Sequence, residues 1–420
     1  MRFADLTRAA GAAAPMILAL AIAAFAFALA PPGALRPVWL VAMLAAGALA
    51  WVLLRPRDER RDDLLPALAV LLTSVGLISI ARVDAALASR QLVWVAISLL
   101  LALGGGPMLR RYRVLARYKY VWILASIVLF VLVAAFGQEV NGAKLWIRIA
   151  GVQFEPIEAI KLFVVLFMAA YLAETADVIA AARPWSLRAN AKYLGPLFIG
   201  WGTSVGILVL QRDVGMAALL LLTFAAMLYV ATRRIDLIVG SVAVFAVAGW
   251  WAIHHYAYVA LRIEAWRNPF ADPYGSGYQS LQALFALASG GLFGAGYGLG
   301  KPTYIPAVAT DYIYASFSEE FGALGGIAVC TLFFVLVLRS LWIARRQPDL
   351  YGRLLATGLA ATLGFQVFII IGGVLRLFPL TGITLPFFSY GGSSLVANYV
   401  LVALLWAISA RPFALPARGR

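Results

Sequence analysis

The feature that limits this chain most is the recurrence of apolar runs close to the length of a bilayer-crossing helix. Such a helix needs about 20 mostly apolar residues, because its backbone polar groups must pair internally where water is absent. Runs that meet this measure fall at about 13–31, 37–54, 64–81, 91–109, 119–136, 157–174, 193–210, 215–232, 235–257, 313–338, 352–375 and 393–410. Pro31-Pro32-Gly33 separates the first two. Of the 420 residues 63% are apolar and 13% charged, half the roughly 25% charge of a soluble domain, and that is too little to cover a water-facing surface. The reading is an all-α polytopic membrane protein of about twelve transmembrane helices, with a long loop over about 258–312. Met1–Ala10 is polar, yet no convincing small-residue cleavage site follows before the second run, so no cleavable signal peptide is expected.

Lys and Arg number 34 against 19 Asp and Glu, a net +15. In a membrane protein such an excess first reports orientation, because basic residues gather in cytoplasmic loops, and no nucleic-acid partner is inferred from it. With a cytoplasmic N-terminus and every run crossing, alternate loops carry Arg55, Arg57, Arg60 and Arg61, then Arg110, Arg111, Arg113, Arg117 and Lys119. The later ones carry Arg183, Arg188 and Lys192, then Arg233 and Arg234, then Arg339, Arg345, Arg346 and Arg353. With the terminal arginines these hold about two thirds of the basic residues, which places both termini in the cytoplasm. The single cysteine, Cys330, excludes an intrachain disulfide. His254 and His255 are neighbours without a carboxylate or thiol at zinc-like spacing, so no metal motif is readable.

Chemistry is expected where polar residues persist beside lipid, since a charge at the bilayer centre costs about 3 kcal/mol or more. The first such stretch runs from Asn141 to Lys161 and includes Trp146, Arg148, Glu155 and Glu158. Glu158 and Lys161, three apart, share one helix face and can pair; the plainer reading is an interfacial belt with a neutralising pair. The second is Gln211-Arg212-Asp213-Val214-Gly215, which could equally be a bland turn with a mutual ion pair. The third is the long loop, with Asn268 to Gln279, a glycine-dense run from Gly290 to Lys301, and Thr310-Asp311-Tyr312 at its close. The glycine run follows no strand and opens no βαβ unit, which argues against a dinucleotide site. Its glycines are expected to let the backbone bend and approach a substrate closely. A last polar stretch, Leu377 to Ser394, is rich in Pro and Gly and contains Ser389; it reads as a re-entrant or broken segment lining a cavity.

Five segments together carry a resemblance: GAKLWIRIAGVQFEPIEAIKL at 142–162, LQRDVGMAALL at 210–220, NPFADPYGSGYQSLQALFALASGGLFGAGYGLGK at 268–301, TDYIYASFSEEFGALG at 310–325 and LFPLTGITLPFFSYGGSS at 377–394. In order and spacing the chain resembles the SEDS family (shape, elongation, division and sporulation), whose members polymerise the lipid-linked cell-wall precursor lipid II. The resemblance implies a ten-helix glycosyltransferase core over 61–412, to which residues 1–60 add two N-terminal helices and a cytoplasmic loop, and 413–420 a cytoplasmic tail. It implies that Asp311 is the catalytic base and that Glu158, Lys161 and Asp213 line the central cavity. Gln211, Arg148, Trp146, Gln282 and Ser389 complete the expected substrate-binding set. It further implies a cytoplasmic-membrane location, a class B penicillin-binding transpeptidase as partner, and a supporting role for a divalent cation (Mg2+ or Mn2+) with no dedicated site readable. For Asp311 the plainer reading is an acid favoured by the dipole of the next helix. The chain departs from the family pattern at Ala309, Arg212, Ile157, Ile370 and Arg376, the last standing where a glycine is frequent. A lipid II flippase and a scaffold that activates the transpeptidase are the rival functions that the same architecture would serve.

Overall fold

The computed structural model describes residues 62–104, 109, 111–140, 143–149, 152–181 and 213–410, with residues 193, 195, 198, 202, 205 and 206 between the last two blocks. The expected N-terminal helix pair, the C-terminal tail and most of the expected run at 193–210 lie outside the described residues. Among the described residues eleven α-helices follow one another: α1 (Leu64–Val83), α2 (Ala85–Gly104), α3 (Lys119–Phe136), α4 (Ile157–Ala181), α5 (Val214–Thr232), α6 (Ile235–His255), α7 (Ala257–Arg267), α8 (Tyr278–Gly290), α9 (Ile313–Arg346), α10 (Leu350–Val374) and α11 (Gly392–Ser409). Nine of the described stretches are long and apolar enough to cross a bilayer, and each overlaps an expected run. The other two helices, α7 with 11 residues and α8 with 13, are too short to cross and build part of the long loop.

The polar stretch between α3 and α4 adds a feature to the helical plan. Strands β1 (Gln138–Val140), β2 (Ala143–Ile149) and β3 (Val152–Phe154) form a small antiparallel sheet in the order β1-β2-β3. In β2, Lys144, Trp146 and Arg148 alternate with Leu145, Ile147 and Ile149, the period of two that a strand requires.

The described chain gathers into two compact units. One holds residues 62–104, 260–338 and 366–406. Its centre is a set of close approaches permitted by small residues. A Cβ on Gly76 of α1 would lie 2.5 Å from the Phe388 carbonyl oxygen, and one on Gly392 would lie 2.1 Å from the Trp94 ring. The Thr73 and Tyr399 hydroxyls meet at 3.0 Å, and Phe388 packs edge-on against Phe317.

Helix α9 is broken near its start, where Gly322 takes φ 71° and ψ −175°. The glycine-dense run docks on this break through its backbone. Ala295 N–H donates to the Glu319 carbonyl (2.9 Å), Gly296 N–H to that of Glu320 (3.1 Å), and Ala323 N–H to that of Gly291 (2.9 Å). A Cβ on Gly294 would lie 2.1 Å from the Glu320 carbonyl oxygen. Gly290 and Gly294 thus approach the backbone of α9, and the run supplies partners for polar groups that the helix break leaves open. Arg82 ties the run down from α1, with Nε on Glu320 Oε1 (2.8 Å) and Nη2 donating to the Gly298 and Gly300 carbonyls (2.8 and 3.0 Å).

Helix α10 ends in a Schellman motif, in which Leu377 N–H reaches the Gly372 carbonyl (2.8 Å) and Arg376 N–H that of Gly373 (3.1 Å). The left-handed residue is Arg376, at φ 59°. Its side chain donates to the Trp266 carbonyl while Trp266 Nε1 donates back to the Arg376 carbonyl (3.0 Å), so α7 is pinned to this helix end.

The other unit holds the described residues among 109–259, 339–365 and 407–410. Here α4, α5 and α10 meet at Gly358, where a Cβ would lie 2.6 Å from Met227 Sδ and 2.7 Å from Val165 Cγ1. Arg113 pairs with Asp349 at 2.9 Å and Lys119 pairs with Glu174. In the first turn of α4, Glu158 and Lys161 form an ion pair whose side chains are 3% and 0% exposed.

Two outcomes follow for detergent-solubilised protein. Gly294→Ala imposes both a left-handed residue and a clash with backbone, and is expected to lower stability by about 1–3 kcal/mol or more; Gly298→Ala, at φ 82° with nothing within 4 Å of the new Cβ, should lose less. Thermal unfolding of the two variants ranks them. Removing one partner of the buried pair, by Glu158→Gln or Lys161→Met, is expected to cost about 3–5 kcal/mol. The double replacement should unfold at a higher temperature than either single variant, and the reverse order would refute a pairwise compensation.

Candidate active site

Asp311 lies in the turn that ends the long loop, two residues before α9. The turn closes on Ala307, a non-glycine residue at φ 53°, whose carbonyl accepts from Thr310 N–H (3.2 Å) and Asp311 N–H (3.1 Å). The segment between α10 and α11 holds this turn from the side. Tyr390 N–H donates to the Ala309 carbonyl (2.8 Å), and Ser389 Oγ donates to the Thr310 carbonyl (2.5 Å) while accepting from Leu385 N–H (3.0 Å). Behind that segment stands Gln91 of α2, 1% exposed, which donates to the Ser389 carbonyl and accepts from Gly391 N–H, both at 3.2 Å.

The Asp311 side chain is half-buried and looks toward Arg262 of α7. Arg262 is exposed and donates from Nη1 to the Thr381 carbonyl (3.1 Å). Between the two lies Gly382, at φ 80°, where an added Cβ would sit 3.6 Å from Arg262 Nη2 and 3.8 Å from Asp311 Oδ2. A Cβ there would be in ordinary van der Waals contact with both groups, so Gly382 marks how near each comes to the other. Burial pushes the Asp311 carboxyl above the usual carboxylate range, while a hydrogen bond from Thr310 and the charge of Arg262 pull it back. Burial, and to a smaller degree the charge of Asp311, also raises the neighbouring Tyr312 phenol, which meets Ser280 Oγ of α8 at 3.4 Å. The arrangement is a carboxylate whose affinity for a proton is raised by burial, beside a cation that faces solvent.

Of the expected residues, this unit brings Asp311 and Ser389 together, with the Ser389 hydroxyl engaged by backbone on both sides instead of open to a ligand. Gln282 lies half-buried on α8, which meets the residue after Asp311 through Ser280. In the other unit Glu158 and Lys161 pair with each other, and Asp213 caps α5 by accepting from Met216 N–H at 2.9 Å. Trp146 and Arg148 point to one face of β2, Trp146 half-buried and Arg148 exposed opposite Gln153. Gln211, like Arg212, lies outside the described residues. Arg262 was not singled out from the sequence: it lies within a short mixed stretch, and no local motif marks it.

A protein-built Mg2+ or Mn2+ site needs several oxygen donors. Asp311 faces an arginine, and among the described residues no three His, Cys, Asp or Glu side chains converge. These residues do not fit a dedicated divalent site.

The chain is 39% identical over 364 residues to the peptidoglycan glycosyltransferase RodA of Mycobacterium tuberculosis, covering 83% of this chain and 78% of that protein. A solved peptidoglycan synthase complex, described as coordinating polymerization and crosslinking, contains a chain that matches with a TM-score of 0.69 at 28% identity, covering 83% of this chain and 97% of the other. The rod shape determining protein RodA of Thermus thermophilus matches with a TM-score of 0.59 at 29% identity, over 83% and 96% of the two chains. The family model for FtsW, RodA and SpoVE, described as cell cycle protein, matches residues 63–412, and the chain belongs to that family.

Proposed function

We propose that this multi-pass membrane protein is a peptidoglycan glycosyltransferase that polymerises lipid II into glycan strands at the outer face of the cytoplasmic membrane, with Asp311 as general base. The observation that carries the reading is the half-buried Asp311 carboxyl beside the solvent-facing Arg262. The acceptor's sugar 4-hydroxyl attacks the anomeric carbon of the donor. As the new C–O bond forms, the hydroxyl proton passes to the Asp311 carboxylate. The bond from the anomeric carbon to the lipid diphosphate breaks, and its electron pair leaves with the diphosphate. In this reading Arg262 meets the charge that develops on the departing diphosphate, as a cation already oriented toward the site. Arg148, Lys161, Glu158, Trp146, Asp213, Gln211 and Gln282 remain proposed contacts along the sugar-lipid.

The outer-face assignment rests on the charges along the chain. One helix, α9, separates Asp311 from Arg339, Arg345 and Arg346, and the basic loops belong on the cytoplasmic side with both termini. The solved complex that couples polymerization to crosslinking supports a class B penicillin-binding transpeptidase as the partner.

Purified protein supplied with fluorescent lipid II tests the reading, alone and with the transpeptidase. Asp311→Asn, correctly inserted, is expected to lose polymerisation by about 10²–10⁴-fold. Full activity in that variant would end the general-base assignment. Lipid movement across vesicles without polymer would instead favour a flippase, and neither activity a scaffold. The pH profile is a separate check. A base works deprotonated, so activity falls as pH drops through the raised Asp311 value, and the acid limb should lie above the ordinary carboxylate range. Arg262→Gln removes a charge that favours the carboxylate, so the acid limb should move to higher pH, with kcat reduced as well.

A further inference from the structure

We propose that Gln91 and Ser389 are positioning residues for Asp311: they form a two-step clamp that runs from a membrane helix, through the segment between α10 and α11, to the carboxylate's turn. The inference rests on the general-base reading of Asp311 and concerns how that base is held.

The geometry is continuous. Gln91 makes two hydrogen bonds, one given and one taken, to the backbone on either side of Tyr390. That pattern fixes both the position and the direction of the segment, as a single bond would not. Ser389 then spends its hydroxyl on two backbone groups, Thr310 O and Leu385 N, while the Tyr390 N–H reaches Ala309 O. Two consecutive carbonyls of the turn are therefore gripped immediately before Asp311. Gln91 is 1% exposed and Ser389 4% exposed, and both would be costly to bury unless satisfied.

A second, independent observation points the same way. Ala307, which closes the aspartate's turn, and Phe387, within the gripping segment, both adopt left-handed backbone without being glycine, at φ 53° and 64°. Such conformations cost free energy and persist where the surroundings over-determine them. Here the surroundings are visible. Phe387 packs edge-on against Tyr399, Phe388 packs edge-on against Phe317, and the Phe388 backbone lies against Gly76 with no room for a Cβ between them. Strain sits on both sides of the same contact, and the clamp that tolerates it ends at the reacting carboxylate.

The test measures steady-state polymerisation of fluorescent lipid II by the full-length protein with its transpeptidase, for Ser389→Ala and Gln91→Met. Each removes hydrogen bonds with little change of volume. Both are expected to lower kcat by roughly tenfold to a hundredfold, the scale of a small misplacement of a reacting group, with KM within about twofold of the unaltered protein. The acid limb of the pH profile should also move down toward the ordinary carboxylate range as the turn opens to water, with Arg262 and Tyr312, the other titratable groups at the carboxylate, left in place. A rise in KM with kcat unchanged would make Ser389 a substrate contact and overturn the proposal. Unaltered kcat and pH profile in either folded variant would overturn it too. If Gln91→Met does not insert, Ser389→Ala decides, being the smaller change. Asp311→Asn run alongside separates the two readings: activity there defeats the base itself, whereas an inactive Asp311→Asn with normal Ser389→Ala defeats the clamp alone.

Discussion

Backbone polar groups that leave a regular helix in an apolar medium must find partners within the protein, and the irregular parts of this fold are organised by that demand. The break at Gly322 opens α9, and the run from Gly290 to Lys301 answers with donors and acceptors of its own backbone. The segment from Leu377 to Gly391 is answered by Ser389, Gln91 and the turn before Asp311. Both cases need an approach so close that a methyl group would obstruct it, at Gly294 in the first and Gly76 in the second. The catalytic candidate stands just before the broken helix and beside the second segment, so its setting is a by-product of satisfying carbonyls and amides.

The electrostatic design follows from the same enclosure. Packing the turn against a buried segment withdraws water from the Asp311 carboxyl and favours its neutral form. Arg262 moderates that effect from the solvent side without sealing the site. A fully paired aspartate would be a weaker base, and one buried without a nearby cation would favour its neutral form more strongly. The half-open arrangement sits between these limits.

Much of the fold was legible in the chain. Apolar run length located α1, α3, α5, α6 and α11 to within a few residues, because a bilayer imposes one length on every crossing segment. The sheet formed by β1, β2 and β3 was less visible: β2 carries a period of two, but β1 and β3, at three residues each, give none. At the site, Asp311 and Ser389 were marked by motifs, but the work of Ser389 was not: the hydroxyl's partners are backbone atoms from other parts of the chain, which side-chain identity does not encode. Gln91 and Arg262 were missed for a related reason. Each lies in an unremarkable stretch, far along the chain from what it touches, and acquires meaning from tertiary neighbours. The glycine run was noticed, but its docking on α9 through Gly290 and Gly294 was not, because closeness to a ligand and closeness to another backbone demand the same residue.

At the end of α10 an arginine occupies the left-handed position that glycine would fill without strain. The exchange gives up conformational ease and gains a side chain long enough to grasp Trp266. Since α7 also carries Arg262, the helix terminus acts as a distant anchor for the cation at the carboxylate. A chain with glycine in that place would have to moor α7 by other means.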